Sequence, residues 1–126
     1  MKKMIHTDKA PAAIGPYSQA VKVGGLVYTS GQLGLDASTG ELSAGVEAQT
    51  EAAIKNGAAI LEASGFSLAD VIKTMVFIKD MNHFDKINAV YSRFFTNDFP
   101  ARSCVEVARL PKDALIEIEF IAANEE

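Results

Sequence analysis

The chain has few of the residues on which metal, redox and cofactor chemistry depends. Its 126 residues include one cysteine and two histidines. One cysteine forms no intrachain disulfide, and His6 and His83 do not show the spacing of zinc ligands. Walker, GxGxxG and GxSxG motifs are missing as well. We therefore expect neither a metal nor a cofactor.

Long apolar runs and an excess of positive charge are also missing. No segment approaches the roughly 18 consecutive apolar residues of a membrane-spanning helix. The N-terminus from Met1 to Gly15 has no continuous apolar core of the signal-peptide kind. The formal net charge of -4 disfavours binding to nucleic acid or to anionic membranes. We expect a cytoplasmic protein with no membrane or nucleic-acid partner.

The sequence is typical of one small globular domain. Hydrophobic residues make up 48% of the chain and charged residues 22%, which is an ordinary composition for such a domain. The length is close to the commonest domain size. Residues 1–126 are therefore predicted to form a single domain.

Periodicity predicts both strands and helices. Residues 18–23 and 26–33 are predicted strands joined by a Gly24-Gly25 turn. From residue 46 to residue 64 the apolar spacing becomes helical, and Gly65 stands where a helix commonly ends.

The next predicted strand, residues 72–78, carries apolar side chains on both faces. The members of one face are Ile72, Val76 and Ile78, and those of the other are Met75 and Phe77. A strand of this kind is usually buried on both sides. Since helices in so short a chain cover only one face, we expect the other face to meet a second subunit.

A second helix is predicted from an N-cap at Asn82 to Phe95, with Asn88 as a polar member of its apolar stripe. Two strands follow it, so that the order is β-β-α-β-α-β-β. This order predicts an α+β fold with two helices packed on one face of a mixed sheet.

The two C-terminal strands carry most of the candidate chemistry. Alternation places Arg102, Cys104 and Glu106 on one face of the first strand, and Glu117 and Glu119 on one face of the second. If these strands pair, the charged groups and the thiol share one side of a sheet. An arginine fork suits a substrate carboxylate, and a partly buried glutamate suits proton transfer. The pattern does not separate Glu117 from Glu119.

Five segments carry a family resemblance. They are GPYSQA at 15–20, SGQ at 30–32, INAVY at 87–91, PARSC at 100–104 and IEI at 116–118. In these segments the chain resembles the Rid (YjgF) family of enamine/imine deaminases. The resemblance implies a chorismate-mutase-like fold and a homotrimer with clefts at its subunit interfaces. It implies no cofactor.

The resemblance also implies roles for single residues. Arg102 binds the substrate carboxylate, and Glu117 positions or activates the hydrolytic water. The other residues placed at the substrate are Tyr17, Ser30, Gly31, Asn88 and Cys104. From the residues alone, structural roles remain open for these positions, such as a core tyrosine, a closely packed glycine or a buried amide. Cys104 lacks an obvious general base, which favours a pocket wall over a nucleophile.

The principal hypothesis is a deaminase that hydrolyses 2-aminoacrylate/2-iminopropanoate and 2-iminobutanoate to 2-keto acids and ammonia. One alternative is a non-enzymatic protein that binds 2-keto acids or similar metabolites. A further alternative is an endoribonuclease, against which the acidic balance counts.

Overall fold

The computed structural model describes residues 1–125, which form one mixed sheet with two helices. The strands are β1 (Lys3–Ile5), β2 (Ala20–Val23), β3 (Leu26–Thr29), β4 (Gln32–Leu33), β5 (Val71–Ile78), β6 (Ala101–Glu106) and β7 (Ile116–Ala123). The helices are α1 (Val46–Ala63) and α2 (Phe84–Phe94). Short 3₁₀ turns occupy Leu68–Asp70, Met81–His83 and Pro111–Asp113. The predicted α+β class with a mixed sheet is confirmed.

The strand order is β1-β2-β3-β7-β5-β6, with the short β4 also paired to β7. Strands β5 and β6 are parallel, and the other pairs are antiparallel. The parallel pair arises because α2 forms the crossover between β5 and β6. Strand β5 therefore separates β6 from β7. The condition under which the two C-terminal strands would share their charged face, direct pairing, is therefore not met.

Both helices cover the same face of the sheet, as predicted. Phe120 of β7 is fully buried on this face. A Cβ added to Gly57 of α1 would collide with the Phe120 ring, so a glycine at this position lets the helix lie close to the sheet. On the same face Thr74 of β5 bonds to the hydroxyl of Tyr91 of α2, with 2.9 Å between the oxygens.

Helix α1 follows its predicted stripe and end. The six predicted apolar or small positions are all buried: Val46, Ala53, Ile54, Gly57, Ile60 and Leu61. Gly65 has a φ of 84°, in the left-handed region that favours glycine. Its amide donates to the carbonyl of Glu62, while the amide of Phe66 donates to that of Leu61. These two bonds form the Schellman motif that ends the helix.

Two sequence predictions fail at element ends. Ile72 does not share the buried face, because a β-bulge between Val71 and Lys73 turns its side chain outward and leaves it 50% exposed. The second helix does not start from a cap at Asn82. Instead, the carboxylate of Asp80 accepts a hydrogen bond from the Asn82 amide, and a 3₁₀ turn leads into α2 at Phe84.

The second face of the sheet has no helix on it among the described residues. Its half-buried or exposed apolar side chains come from five neighbouring strands and include Val21, Tyr28, Phe77, Val105 and Ile121. Tyr28 is 50% exposed, and Val105 is 39% exposed. Within residues 1–125, no helix has the length and apolarity to cross a membrane.

Candidate functional site

A cavity of about 630 Å³ opens beside β4 and β7. Four of the predicted site residues line this cavity: Tyr17, Ser30, Gly31 and Glu117. We call the part of the cavity that these four residues line the glutamate pocket. Glu119 lines the same cavity. The structure thus brings together residues that lie up to 102 positions apart in the chain.

A break between β3 and β4 makes room for the carboxylate of Glu117. Tyr28 pairs with Ile121, and Gln32 pairs with Ile118, so β3 and β4 hold one residue more than the facing part of β7. The extra length falls at Ser30 and Gly31. A Cβ at Gly31 would occupy the position of the Glu117 carboxylate. The absence of a side chain at residue 31 is therefore what lets Glu117 point into the pocket.

Hydrogen bonds hold the wall around this break. The Ser30 hydroxyl donates to the carbonyl of Ser18 at 2.6 Å, and the Ser30 amide donates to the carbonyl of Gln19 at 2.8 Å. Tyr17 is 50% exposed, so it is not a core tyrosine. Its hydroxyl accepts a long bond of 3.4 Å from the Ile14 amide. The Ser30 hydroxyl therefore uses its proton in a hydrogen bond within the cavity wall, whereas the Tyr17 ring faces the cavity.

Glu117 has the electrostatics of a proton-transfer group. Burial raises the pKa of its carboxyl above the usual range, and the nearby charge of Glu119 adds to the increase. Both effects disfavour the charged form of Glu117: burial removes the water that would stabilise the carboxylate, and Glu119 places a like charge nearby. A glutamic acid in this condition holds its proton closer to neutral pH than an exposed one does.

We predict that Gly31→Ala lowers activity through Glu117 while the protein stays folded. The added methyl meets the far end of a flexible side chain, so the carboxylate moves and the backbone does not have to. A displacement of about 1 Å in a reacting group costs on the order of a hundredfold in rate. Steady-state kinetics together with the thermal unfolding midpoint test this. Ala37→Gly, in the wall of the same cavity, is the control. Gly40→Ala is unsuitable, because Gly40 has a φ of 75° and an alanine there would strain the backbone.

One residue of this region was missed as a site residue by the sequence reasoning. Gln19 is 2% exposed. Its side-chain nitrogen donates to the carbonyls of Thr7, Ala10 and Pro11, and its oxygen accepts from the Thr7 amide at 2.7 Å. This amide therefore ties the N-terminal segment to β2 and supports the wall at Pro11 and Ala12. Its place in the GPYSQA segment was the available signal.

Arg102 lies elsewhere, at the edge strand β6 beneath α2. One terminal nitrogen of its guanidinium donates to the Asn88 side-chain oxygen at 2.8 Å. The guanidinium carbon lies 4.9 Å from the ring centre of Tyr91 and 5.6 Å from that of Phe84. Contacts of this kind orient a guanidinium without neutralising it. Asn88 is therefore a partner of Arg102.

Cys104 shares a face with Arg102, two residues further along β6, and the pKa of its thiol argues against a nucleophile. Burial raises that pKa, and the opposing effect of the Arg102 charge is smaller. A nucleophilic cysteine needs the reverse, since the thiolate is the reactive form. We call Arg102, Asn88 and Cys104 the arginine cluster.

The arginine cluster and the glutamate pocket lie on opposite faces of the sheet. Directly paired residues point to the same face. Arg102 pairs with Thr74, which pairs with the buried Phe120 on the helix face. Glu117 pairs with Phe77 and belongs to the other face. One chain therefore does not bring Arg102 and Glu117 to a common cavity, and the expectation that they share one side of the sheet is wrong.

The described residues contain no group of three or more histidine, cysteine, aspartate or glutamate side chains arranged to hold a metal ion. The ionisable side chains that line the cavity are those of Tyr17, Lys112, Glu117 and Glu119.

Comparison with known proteins identifies the family. A family model described as Endoribonuclease L-PSP matches residues 7–124. The crystal structure of the YjgF gene product of Escherichia coli superposes with a TM-score of 0.95 at 52% identity, covering 98% of this chain and 99% of that chain. The chain belongs to the Rid (YjgF) family.

Other members of the Rid family match over nearly the whole chain. A protein of Escherichia coli strain K12 named 2-iminobutanoate/2-iminopropanoate deaminase is 54% identical over 127 residues, which cover 98% of this chain and 99% of that protein. The structure of Escherichia coli TdcF with bound serine has a TM-score of 0.95 at 49% identity, covering 98% and 99% of the two chains. The matched ranges therefore span the positions of both the glutamate pocket and the arginine cluster.

Proposed function

We propose that this Rid protein is a deaminase that hydrolyses 2-imino acids, with 2-iminopropanoate and 2-iminobutanoate as substrates, to 2-keto acids and ammonia. The observation that carries the proposal is the Glu117 carboxyl, which is half-buried, has a raised pKa and is admitted to a cavity by Gly31. The name of the 54% identical Escherichia coli relative supports the substrate class. The serine seen on TdcF supports a ligand that combines a carboxylate with a nitrogen on the adjacent carbon.

The chemistry requires one acid–base group. Glu117 enters with its proton and donates it to the imine nitrogen, which makes the imine carbon more electrophilic. The resulting carboxylate accepts a proton from water as the water oxygen forms a bond to that carbon. Glu117 then passes this proton to the amine nitrogen, the C–N bond breaks, and ammonia leaves as the C=O bond forms. The hydroxyl proton released in this step returns to the Glu117 carboxylate, which restores the starting acid. A carboxyl whose pKa is raised suits both directions of transfer.

An enamine reaches the same pathway by one proton transfer. 2-Aminoacrylate becomes 2-iminopropanoate when its terminal carbon gains a proton and its nitrogen loses one. Positioning supplies most of the remaining catalysis, because the imine is already reactive towards water.

Arg102 binds the substrate carboxylate in this proposal. Its planar fork matches the two oxygens of a carboxylate, and Asn88 with the rings of Tyr91 and Phe84 holds the fork in place. Since Arg102 and Glu117 occupy opposite faces of one sheet, the site joins two copies of the chain. The arginine cluster of one copy faces the glutamate pocket of the next.

The second face of the sheet supports such an assembly. Large apolar side chains on it, among them Tyr28, Leu26 and Val105, are between 37% and 50% exposed in the single chain. Their burial against other copies is favourable by about 25 cal/mol for each Å² removed from water. We propose a homotrimer: any closed ring supplies one arginine cluster to each glutamate pocket, and three is the number of copies that the Rid resemblance implies.

RNA cleavage fits the pocket less well, although it appears in the description of the family model. Glu117 and Glu119 both line the cavity, and two carboxylates repel the phosphates of a polynucleotide. The net charge of -4 acts in the same direction.

The direct test follows ammonia and 2-keto acid release from 2-aminoacrylate, formed in place from serine by a pyridoxal-phosphate dehydratase. We expect the wild-type protein to exceed the rate in buffer by about a hundredfold or more, the usual contribution of a positioned acid–base group. Glu117→Gln keeps the side-chain shape without the acid and is expected to lose most of this gain. A wild-type rate equal to that in buffer would instead favour a protein that only binds 2-keto acids.

A further inference from the structure

We propose that Glu119 is a positioning residue for the proton of Glu117: its carboxylate, in the same cavity and on the same strand face, keeps the proton on Glu117 until substrate takes it. The proposal deepens the deaminase function and rests on it. Glu119 does not touch the reacting atoms in this scheme, and acts only through Glu117.

The geometry of β7 brings the two carboxyl groups together. Residues two apart on a strand point to the same face, with Cα atoms about 6.6 Å apart. Phe77 faces Glu117 across the strand pair, and Met75 faces Glu119. Both groups are partly buried and line one cavity. Their neighbours on β5 therefore remove water without supplying charge.

Within the described part of a single chain, the groups around Glu117 form no ion pair with either carboxylate. On β4 the residue paired with Glu117 is Leu33. Lys73 of β5 pairs with Ile121 and donates to the Ser103 hydroxyl at 3.0 Å. Lys112 lines the cavity from the turn before β7, and its side chain is exposed. Among residues 1–125 neither Glu117 nor Glu119 has a hydrogen bond or ion pair through its carboxylate.

Two further ionisable groups face the pocket. Tyr17 contributes a phenol from the N-terminal segment. In the proposed assembly Arg102 of a second copy contributes a cation, which favours the charged form of Glu117. Neither group changes when Glu119 is replaced, so a comparison of variants at residue 119 isolates the effect of its charge.

Like charges in a cavity poor in water do not both ionise readily. The pKa of Glu117 is raised by burial first and by Glu119 second. An ionised Glu119 thus favours the protonated form of Glu117, which is the form that donates to the imine. Removal of the charge at residue 119 lowers the pKa of Glu117, so that Glu117 loses its proton at a lower pH.

The test compares the pH dependence of kcat/KM in wild type, Glu119→Gln and Glu119→Asp. Glutamine keeps the shape without the charge, and aspartate keeps the charge. We expect the alkaline limb of Glu119→Gln to move to lower pH, with a loss of about threefold to tenfold at its alkaline end and little change at its acid end. Glu119→Asp is expected to stay close to wild type. Glu62→Gln, on the exposed side of α1, is the charge-matched control.

A second readout does not depend on activity. NMR of labelled glutamate side-chain carboxyl carbons follows the titration of Glu117 directly, assigned with Glu117→Gln. A lower titration midpoint in Glu119→Gln supports the proposal, even if wild type proves to lack deaminase activity and the proposed function fails. An unchanged Glu117 titration, or an active Glu119→Gln whose alkaline limb coincides with that of wild type, overturns it.

Discussion

Replacing Arg102 with alanine is expected to lower kcat/KM for 2-iminopropanoate by about two to three orders of magnitude. Truncation of one member of a desolvated, hydrogen-bonded charge pair typically costs roughly 2–5 kcal/mol, and each 1.4 kcal/mol is about tenfold. The expected loss is large because the fork of Arg102 is held by Asn88 and by two aromatic rings. It is therefore ordered before the substrate carboxylate arrives.

The fold should survive this change. Arg102 lies on the edge strand β6 and is only half-buried, so its removal leaves no closed cavity in the core. Light scattering and the thermal midpoint establish that the variant keeps its assembly. Arg102→Lys keeps the charge without the fork, and its defect is expected mainly in KM.

The matched control is Arg93→Ala. Arg93 lies in the last turn of α2, is exposed, and donates to the Glu51 carboxylate of α1 at 2.6 Å. An exposed ion pair contributes about 0–1 kcal/mol to stability, and no catalytic role is proposed for it. Equal kinetics of Arg102→Ala and Arg93→Ala would remove Arg102 from the mechanism.

The helices and the order of elements were open to prediction from the sequence. The apolar spacing of α1 survives in the structure because one stripe meets one sheet, and Gly65 ends the helix by adopting a conformation that glycine favours. The start of α2 was not predictable in the same way. Asp80 and Asn82 both have side chains that suit a cap. In the structure Asp80 is the capping residue, and it caps the 3₁₀ turn that precedes α2.

The sequence does not predict which faces of different strands lie on the same side of the sheet. Alternation assigns Arg102 and Glu117 to faces within their own strands, but it says nothing about which faces coincide. That relation depends on β5, which lies between the two strands and pairs with each in its own register. The bulge at Ile72 is a local change of the same kind. Such features arise from tertiary packing, which a two-residue period does not record.

The pairing of β6 and β7 with β5 also divides the candidate site into two groups of residues. Family resemblance named residues from both faces as one site. The structure brings Tyr17, Ser30, Gly31 and Glu117 to one cavity, and it brings Asn88 to Arg102. The resemblance implied clefts at subunit interfaces, but the sequence did not indicate which residues lie together within one chain. The separation is what makes an assembly necessary to the proposed function.

Mixed assemblies of two inactive variants are expected to regain activity. Arg102→Ala chains keep the glutamate pocket intact, and Glu117→Gln chains keep the arginine cluster intact. If each site joins the arginine cluster of one copy to the glutamate pocket of the next, random mixing in equal amounts creates sites in which both residues are native. In a closed ring such sites make up about a quarter of the total, the product of two independent halves.

The measurement requires exchange of chains, by co-expression with two tags or by joint refolding, followed by purification of the mixed species. Because each mixed trimer holds one fully native site out of its three, deaminase activity per chain of the purified mixed species should approach about a third of wild type, although each variant alone is nearly inactive. Glu117→Gln mixed with Glu62→Gln/Glu117→Gln is the control, since no combination of those chains restores a native site.

A second mixture distinguishes shared sites from self-contained ones by dilution. Chains that carry both Arg102→Ala and Glu117→Gln are mixed with an equal amount of wild type. Sites contained within one chain would retain about half of the activity, whereas sites shared between neighbours retain about a quarter. The opposite-face positions of Arg102 and Glu117 on one sheet require the second result. Retention of half, together with no recovery in the first mixture, would mean that one chain reaches substrate with both residues and that the two-copy site is wrong.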